Sequence, residues 1–169
     1  CLGLSSYSLQ GDREIINIIK KVGGKIVKGK NGGICAKRTS LMRATDIDAS
    51  EIPDLVPILA VLLSFCKGES RIYNAGRLRM KESDRLAATA GELSHLGVNI
   101  TEGADSLTVI GGQTINCGTV SSRHDHRIAM ALAIAACRAE GDEVRITDAY
   151  SAVKKSYPDF FDVYRELCK

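Results

Sequence analysis

The sequence predicts an α/β fold with parallel strand pairings and buried helices. Three observations point there: a repeat about 74 residues long, helices that alternate with strands along each copy, and two helices that are apolar nearly all round. "INIIKKVGGKIVKG" (16–29) has the rhythm of "AGELSHLGVNITEG" (90–103): amphipathic helix, glycine, strand, with Ile26 and Ile100 as the matched strand positions. "LAVLLSFCKGESRI" (59–72) matches "ALAIAACRAEGDEVRI" (131–146): apolar helix, charged turn, strand, with Ile72 and Ile146 matched. Strands alternating with helices argue for parallel pairings. A helix without a polar face belongs in an interior. Helices inside and strands outside satisfy that, and so does a buried crossover helix in a large open sheet.

Taken in order, Cys1–Leu4 read as part of a strand already under way, and the chain as a fragment cut inside or just before a structural unit. "REIINIIKKVG" is the first amphipathic helix, with Arg13, Asn17, Lys20 and Lys21 among isoleucines. "TDIDASEIPDLVP" leads the first apolar helix, with Pro53 at its first position and Asp54 in its first turn, both preferred there. "ESDRLAATAGELSHLG" is a second amphipathic helix, buried through Leu86, Ala90, Leu93 and Leu96, capped by Ser83 and ended by Gly97. "SSRHDHRIAMALAIAA" starts the second apolar helix. "KKSYPDFFDVYREL" is the last, with Ser156 as N-cap and Pro158 in the first turn. Helices 54–66 and 127–137 are expected to be the most buried segments, with Leu63, Ala131 and Ile134 inaccessible.

Composition excludes several classes. The net charge is only +3, aromatics are 5% and Trp is absent, so a nucleic-acid surface has no support. "LVPILAVLLSFC" and "IAMALAIAAC" are too short to span a bilayer. The six cysteines form no C-x-x-C pair, and Cys66 and Cys137 lie in apolar helical runs. They read as reduced small hydrophobes of a cytoplasmic protein.

Charge at the helix mouths carries the functional signal. Lys81 precedes one helix and Arg85 opens it; Arg123, His124, His126 and Arg127 crowd the start of another; Lys154 and Lys155 precede the last. A helix N-terminus carries about half a positive charge, so cations there are unfavourable by about 0.3–1 kcal/mol each. One such site is ordinary solvated surface. Three in a repeated fold point to a shared pocket for phosphate or carboxylate. Asp54, facing such a pocket, could act as a general base, with Glu82 as a second titrating group.

The motifs "DIDASEIPDLVPILAVL", "LRMKESDRL", "DHRIAMALAIA" and "KKSYPDFF", in this order and with "LQGD" near the start, resemble the 5-enolpyruvylshikimate-3-phosphate synthase family throughout the chain. The resemblance implies an inverse α/β barrel of repeated βαβαββ units, three to a domain and two domains to an enzyme, with the active site in the cleft between them. On that pattern the chain holds about two of three units of the C-terminal domain: 1–10 the tail of a preceding unit, 11–84 and 85–150 repeat units, 151–169 a C-terminal helical segment. The implied reaction transfers the enolpyruvyl group of phosphoenolpyruvate to the 5-hydroxyl of shikimate 3-phosphate, releasing phosphate, without metal or organic cofactor. This belongs to the shikimate pathway of aromatic amino-acid synthesis, and glyphosate would occupy the phosphoenolpyruvate site.

Carried over by motif, Asp54 accepts the 5-hydroxyl proton and Glu82 delivers one to the phosphoenolpyruvate methylene. Lys81, with Asp54, contacts shikimate 3-phosphate. Arg85, Arg127 and Lys155 bind phosphoenolpyruvate: the arginines suit its planar carboxylate and the lysine its phosphate. Arg77 falls where some relatives carry Asn, and so receives no role. The implied partners are the two substrates and the remaining domain of the same enzyme, with no nucleic acid or membrane, and the chain alone is expected to be inactive. Two alternatives stand beside this: a non-catalytic anion-binding module reusing the fold, and the related transferase acting on UDP-N-acetylglucosamine. An anion-binding module has no use for a base and an acid beside its pocket.

Overall fold

Apolar residues at helical spacing build the centre of the molecule. The computed structural model describes residues 1–4, 7–29, 33–37 and 39–168; Ser5 and Ser6 of the 1–10 segment and Lys169 of the last segment lie outside them. Chain order is α1 (Ile15–Lys21), β1 (Lys25–Lys28), β2 (Ile34–Lys37), β3 (Ile47–Asp48), α2 (Val56–Ser64), β4 (Gly68–Tyr73), α3 (Arg85–His95), β5 (Asn99–Glu102), β6 (Leu107–Gly111), β7 (Ile115–Ser121), α4 (His126–Ala136), β8 (Ala139–Thr147), α5 (Ala149–Val153) and α6 (Phe160–Leu167). Short 3₁₀ turns at Pro53–Leu55 and Gly76–Met80 lead towards α2 and α3.

Helices α2, α3 and α4 pack on one another, and the strands lie around them. Leu59, Leu63, Leu86, Leu93, Ile128 and Leu132 fill the space between, all fully buried. Burying a side chain of this size is worth roughly 1.5–3 kcal/mol, so this layer is the main source of stability. The strands form three groups: an antiparallel pair β1-β2, a mixed sheet in the order β3-β4-β6-β5, and a parallel pair β7-β8. The described strands close no barrel. Ile72 pairs in parallel with Ile47, and Ile146 in parallel with Val120. The matched positions Ile26 and Ile100 each occupy the second residue of a strand paired antiparallel with its successor.

Two glycines set the close approaches. Gly97 follows α3 in the left-handed region (φ +82°), where a Cβ would also meet Asn116. A Cβ on Gly111 of β6 would sit 2.1 Å from the Leu63 carbonyl oxygen, so only glycine lets β6 run against the end of α2.

Several expectations need correction. Cys1–Leu4 form no strand, although Cys1 and Ile34 exchange two backbone hydrogen bonds. Asp84, not Ser83, caps α3: its carboxylate accepts from the Ala87 N–H. Ser83 turns away to donate to Asp125. Ser156 does not cap the last helix, because its N–H and that of Tyr157 close the C-terminus of α5 on the Val153 carbonyl. The final helix begins only at Phe160. Leu63 and Ala131 are buried as expected, but Ile134 is 41% exposed. It lies with Ile58 and Met130 along an open pocket of about 220 Å³ that also reaches Asp54 and Arg127. One face of α4, with Met130 and Ile134, thus opens on a cleft, while Ile128 and Leu132 on the other point into the core. Cys137 is likewise exposed, at the helix end, whereas Cys66 is buried.

Candidate active site

The site is assembled where the 3₁₀ turn before α2 meets the first turns of α3 and α4. Pro53 at the start of that turn fixes the backbone that presents Asp54. The Asp54 carboxylate sits among three cations. Its Oδ1 accepts from Arg85 Nη1 at 2.8 Å and lies 3.3 Å from Lys81 Nζ; its Oδ2 is 3.1 Å from Arg127 Nη2. Arg127 Nη1 also donates to the Asp54 carbonyl at 3.2 Å. Partial burial raises the proton affinity of Asp54, but Arg127, Lys81 and Arg85 together outweigh it and hold the carboxyl below its ordinary value.

Arg85 is the anchored member, only 3% exposed. The fully buried Asp125 carboxylate accepts from its Nε at 2.7 Å and its Nη2 at 3.3 Å. The same carboxylate caps α4 through the Arg127 N–H at 2.9 Å and accepts from the Ser83 hydroxyl at 3.1 Å. Burial pushes Asp125 up, but the Arg85 hydrogen bond, the Arg127 N–H, the Arg85 charge and Ser83 bring it below the ordinary range. One buried carboxylate therefore orients Arg85 and starts the helix that carries Arg127. Its signal is present in the sequence, since Asp before an apolar helical run is a preferred N-cap.

The loop before α4 is also held from behind. Arg123 and His124 both adopt left-handed backbone (φ 52° and 56°). Glu92 of α3, only 2% exposed, accepts from the Ser121 N–H at 2.8 Å and Arg123 Nε at 2.7 Å. Such conformations persist only where surroundings over-determine them.

The structure brings Asp54, Lys81, Arg85 and Arg127 into one cluster. Glu82 stands apart from Asp54 in its contacts, with its carboxylate 3.1 Å from His126 Nδ1. Lys155 is exposed and donates from Nζ to the His124 carbonyl at 3.3 Å, joining the cluster's rim rather than its centre. It follows the C-terminus of α5, where a cation is electrostatically favoured, so only two helix mouths carry the unfavourable cations. Arg77 makes no contact in this cluster among the described residues.

Chemically, Lys81, Arg85 and Arg127 against Asp54 and Asp125 leave one net positive charge, before Lys155 is counted. The cluster opens onto the 220 Å³ pocket. It suits an anion able to take hydrogen bonds from the two arginines. Glu82, Asp125 and His126 bring one ligand atom each to within 4.8 Å of one another. Both Asp125 oxygens already accept from Arg85, and the arginines would repel a metal cation there.

The family model for EPSP synthase (3-phosphoshikimate 1-carboxyvinyltransferase) matches residues 1–164. The chain is 42% identical over 165 residues to a 3-phosphoshikimate 1-carboxyvinyltransferase from Brachyspira hyodysenteriae, covering 98% of this chain and 39% of that protein. It is 46% identical over 167 residues to one from Clostridioides difficile, covering 98% and 37%. Among solved structures, an EPSP synthase from Acinetobacter baumannii superposes with a TM-score of 0.78 at 25% identity, covering 90% of this chain and 38% of that one. The enolpyruvyl transferase NikO from Streptomyces tendae has the same fold, with a TM-score of 0.75 at 21% identity over 92% of this chain and 35% of that one. The chain thus spans well under half the length of these relatives.

Proposed function

The chain belongs to the EPSP synthase family, and from that premise we propose that it supplies one wall of an enolpyruvyl-transfer site. The observation that carries this is the Asp54 carboxylate held by Lys81, Arg85 and Arg127. The substrates are phosphoenolpyruvate and shikimate 3-phosphate. Arg85 and Arg127 take the phosphoenolpyruvate carboxylate, Lys155 its phosphate, and Lys81 contacts shikimate 3-phosphate.

In the structure Asp54 is a poor base, because three cations favour its charged form. Bound anions would draw the arginines and Lys81 away from it. Its proton affinity then rises as the substrates arrive, and it can accept the 5-hydroxyl proton. Glu82, reinforced by His126, protonates the methylene carbon of phosphoenolpyruvate. The hydroxyl oxygen bonds to the adjacent carbon, giving a tetrahedral adduct; loss of phosphate from that carbon and of a proton from the new methyl group restores the double bond, now as an enol ether. Arg85, held by Asp125, then stabilises the shifting charge from a fixed position.

In the same reading residues 11–84 and 85–150 are repeat units of a C-terminal domain, with 151–169 a helical segment that completes the lysine contacts. The chain's coverage of 37–39% of its bacterial relatives supports a site finished by other parts of a longer enzyme. With one wall only, the substrates are not held in attack geometry, a loss that can reach roughly 7–11 kcal/mol of barrier.

The test is a chimaera in which these residues replace the matching segment of the Clostridioides difficile relative, assayed for phosphate release. The chimaera should turn over. Asp54→Ala and Glu82→Ala should each lower the rate by about 10²–10⁴. Near-normal turnover in either variant would remove that residue from its role.

A further inference from the structure

The last helix is weakly attached. α6 has no buried residue. Its hold is Phe160 and Phe161, partly buried against the small cluster Ala129, Ala149, Ala152 and Val153. At its far end Cys168 places Sγ 3.5 Å from Sγ of Cys137, at the end of α4. Cys137 Sγ also donates to the Tyr164 hydroxyl at 3.3 Å, so the ring of α6 steers this contact. Both cysteines are exposed. This is the one sulfur–sulfur contact among the described residues. Cys66, by contrast, is buried, and that burial pushes its thiol up to about 11.

We propose that Cys137 and Cys168 are an oxidisable dithiol, a modification site at which a low-molecular-weight disulfide converts the pair into a reversible cross-link fastening α6 to α4. In the first step one thiol, deprotonated, attacks the small disulfide and expels a small thiolate, giving a mixed disulfide. In the second, the other protein thiolate attacks the protein sulfur of that mixed disulfide and expels the second small thiolate. The two protein thiols lose two protons and two electrons in all, and the small disulfide is reduced to two thiols. A disulfide bond is about 2.05 Å long, so the sulfurs have to close by about 1.5 Å. Rotation of two exposed side chains at helix ends supplies that movement without displacing a core. The hydrogen bond with Cys137 raises the Cys168 thiol above its ordinary value, so the reaction should quicken as pH rises.

The two cysteines are 31 residues apart, and the segment between them carries α5, Lys155 and α6. Closing that loop restricts the open ensemble of the C-terminal segment. The link does not depend on the role proposed above for Lys155.

The experiment treats the purified chain with oxidised glutathione, blocks remaining thiols, and maps tryptic peptides without reduction. The expected product joins peptide 128–138 to peptide 166–169 within one chain and disappears with dithiothreitol. Amide hydrogen exchange across α6 should slow by about tenfold or more in the oxidised form. Cys168→Ser should abolish the joined peptide and leave Cys137 as a mixed disulfide with glutathione. Separate glutathionylation of both cysteines in the wild-type chain, or linkage only between two chains, overturns the proposal. A joined peptide with α6 exchange unchanged overturns the claim that it fastens the helix.

Discussion

Replacing Asp125 with alanine should be among the most damaging single changes to this chain. The side chain is fully buried and shares two hydrogen bonds with an arginine that is 3% exposed. Removing one partner of a buried pair costs about 3–5 kcal/mol, because the other charge is left without compensation. The same carboxylate caps α4, a contribution of about 1 kcal/mol that cannot simply be added, since one group performs both tasks. Arg85 keeps its bond to Asp54, which places the expected loss near the lower end, about 3 kcal/mol. For a chain of this size that corresponds to a fall in Tm of roughly 6–12 °C. Urea titration followed by far-ultraviolet circular dichroism measures it directly. Asp54→Ala is the control. Its carboxylate is 31% exposed and water screens its three cations, so the change should stay within about 1 kcal/mol. A loss below about 1 kcal/mol for Asp125→Ala, or equal losses for the two variants, would refute the assignment of Asp125 as the buried anchor.

Two further outcomes follow from the same structure. Asp54, Asp84 and Asp125 all have folded-state proton affinities below their ordinary values. Their contribution is therefore fully present above the unfolded carboxylate pKa of about 3.9 and is lost as pH falls through the lower folded values. Urea midpoints should drop steeply below about pH 4, and less steeply in Asp125→Asn. Within α4, Leu132→Ala should cost about 2–5 kcal/mol while Ile134→Ala costs less than about 1, because Leu132 is enclosed and Ile134 faces the open pocket. Equal losses in denaturant titrations would mean that α4 is buried on both faces.

Much of the interior was legible because periodicity reports burial directly. Leu86 and Leu93 recur on one face of α3, with Leu96 just past its end, and all are enclosed. Lys81, Arg85 and Arg127 were legible too, since their placement runs against the helix dipole and so needs an anion to explain it, whereas Lys155 lies past the C-terminus of α5. What the sequence hid depends on distant contacts. The choice of Asp84 over Ser83 as cap follows from Ser83 donating to Asp125, 42 residues away. Ile134 looks like core from its neighbours, and only the position of the pocket shows otherwise. Ser156 was misread because α5 is a five-residue helix with no periodicity of its own, and its closing turn uses the Ser156 N–H. Nothing local marks Glu92, whose partners Ser121 and Arg123 lie 29 and 31 residues away.

The central claim is that Lys81, Arg85 and Arg127 form the receptor for an anionic substrate, with Asp54 occupying their hydrogen bonds until it arrives. Titrating phosphoenolpyruvate into the purified chain, with binding followed by NMR of the arginine Nε–H groups, tests this most directly. The wild-type chain should bind in the millimolar range or weaker, about −4 kcal/mol at most, with the Arg85 and Arg127 signals shifting together. Asp54→Ala should bind about fivefold more tightly, because a unit negative charge about 4 Å from the anion opposes it by roughly 1 kcal/mol in water. Arg127→Ala should lose the binding. Unchanged affinity in both variants, or arginine signals that do not move, would contradict the account.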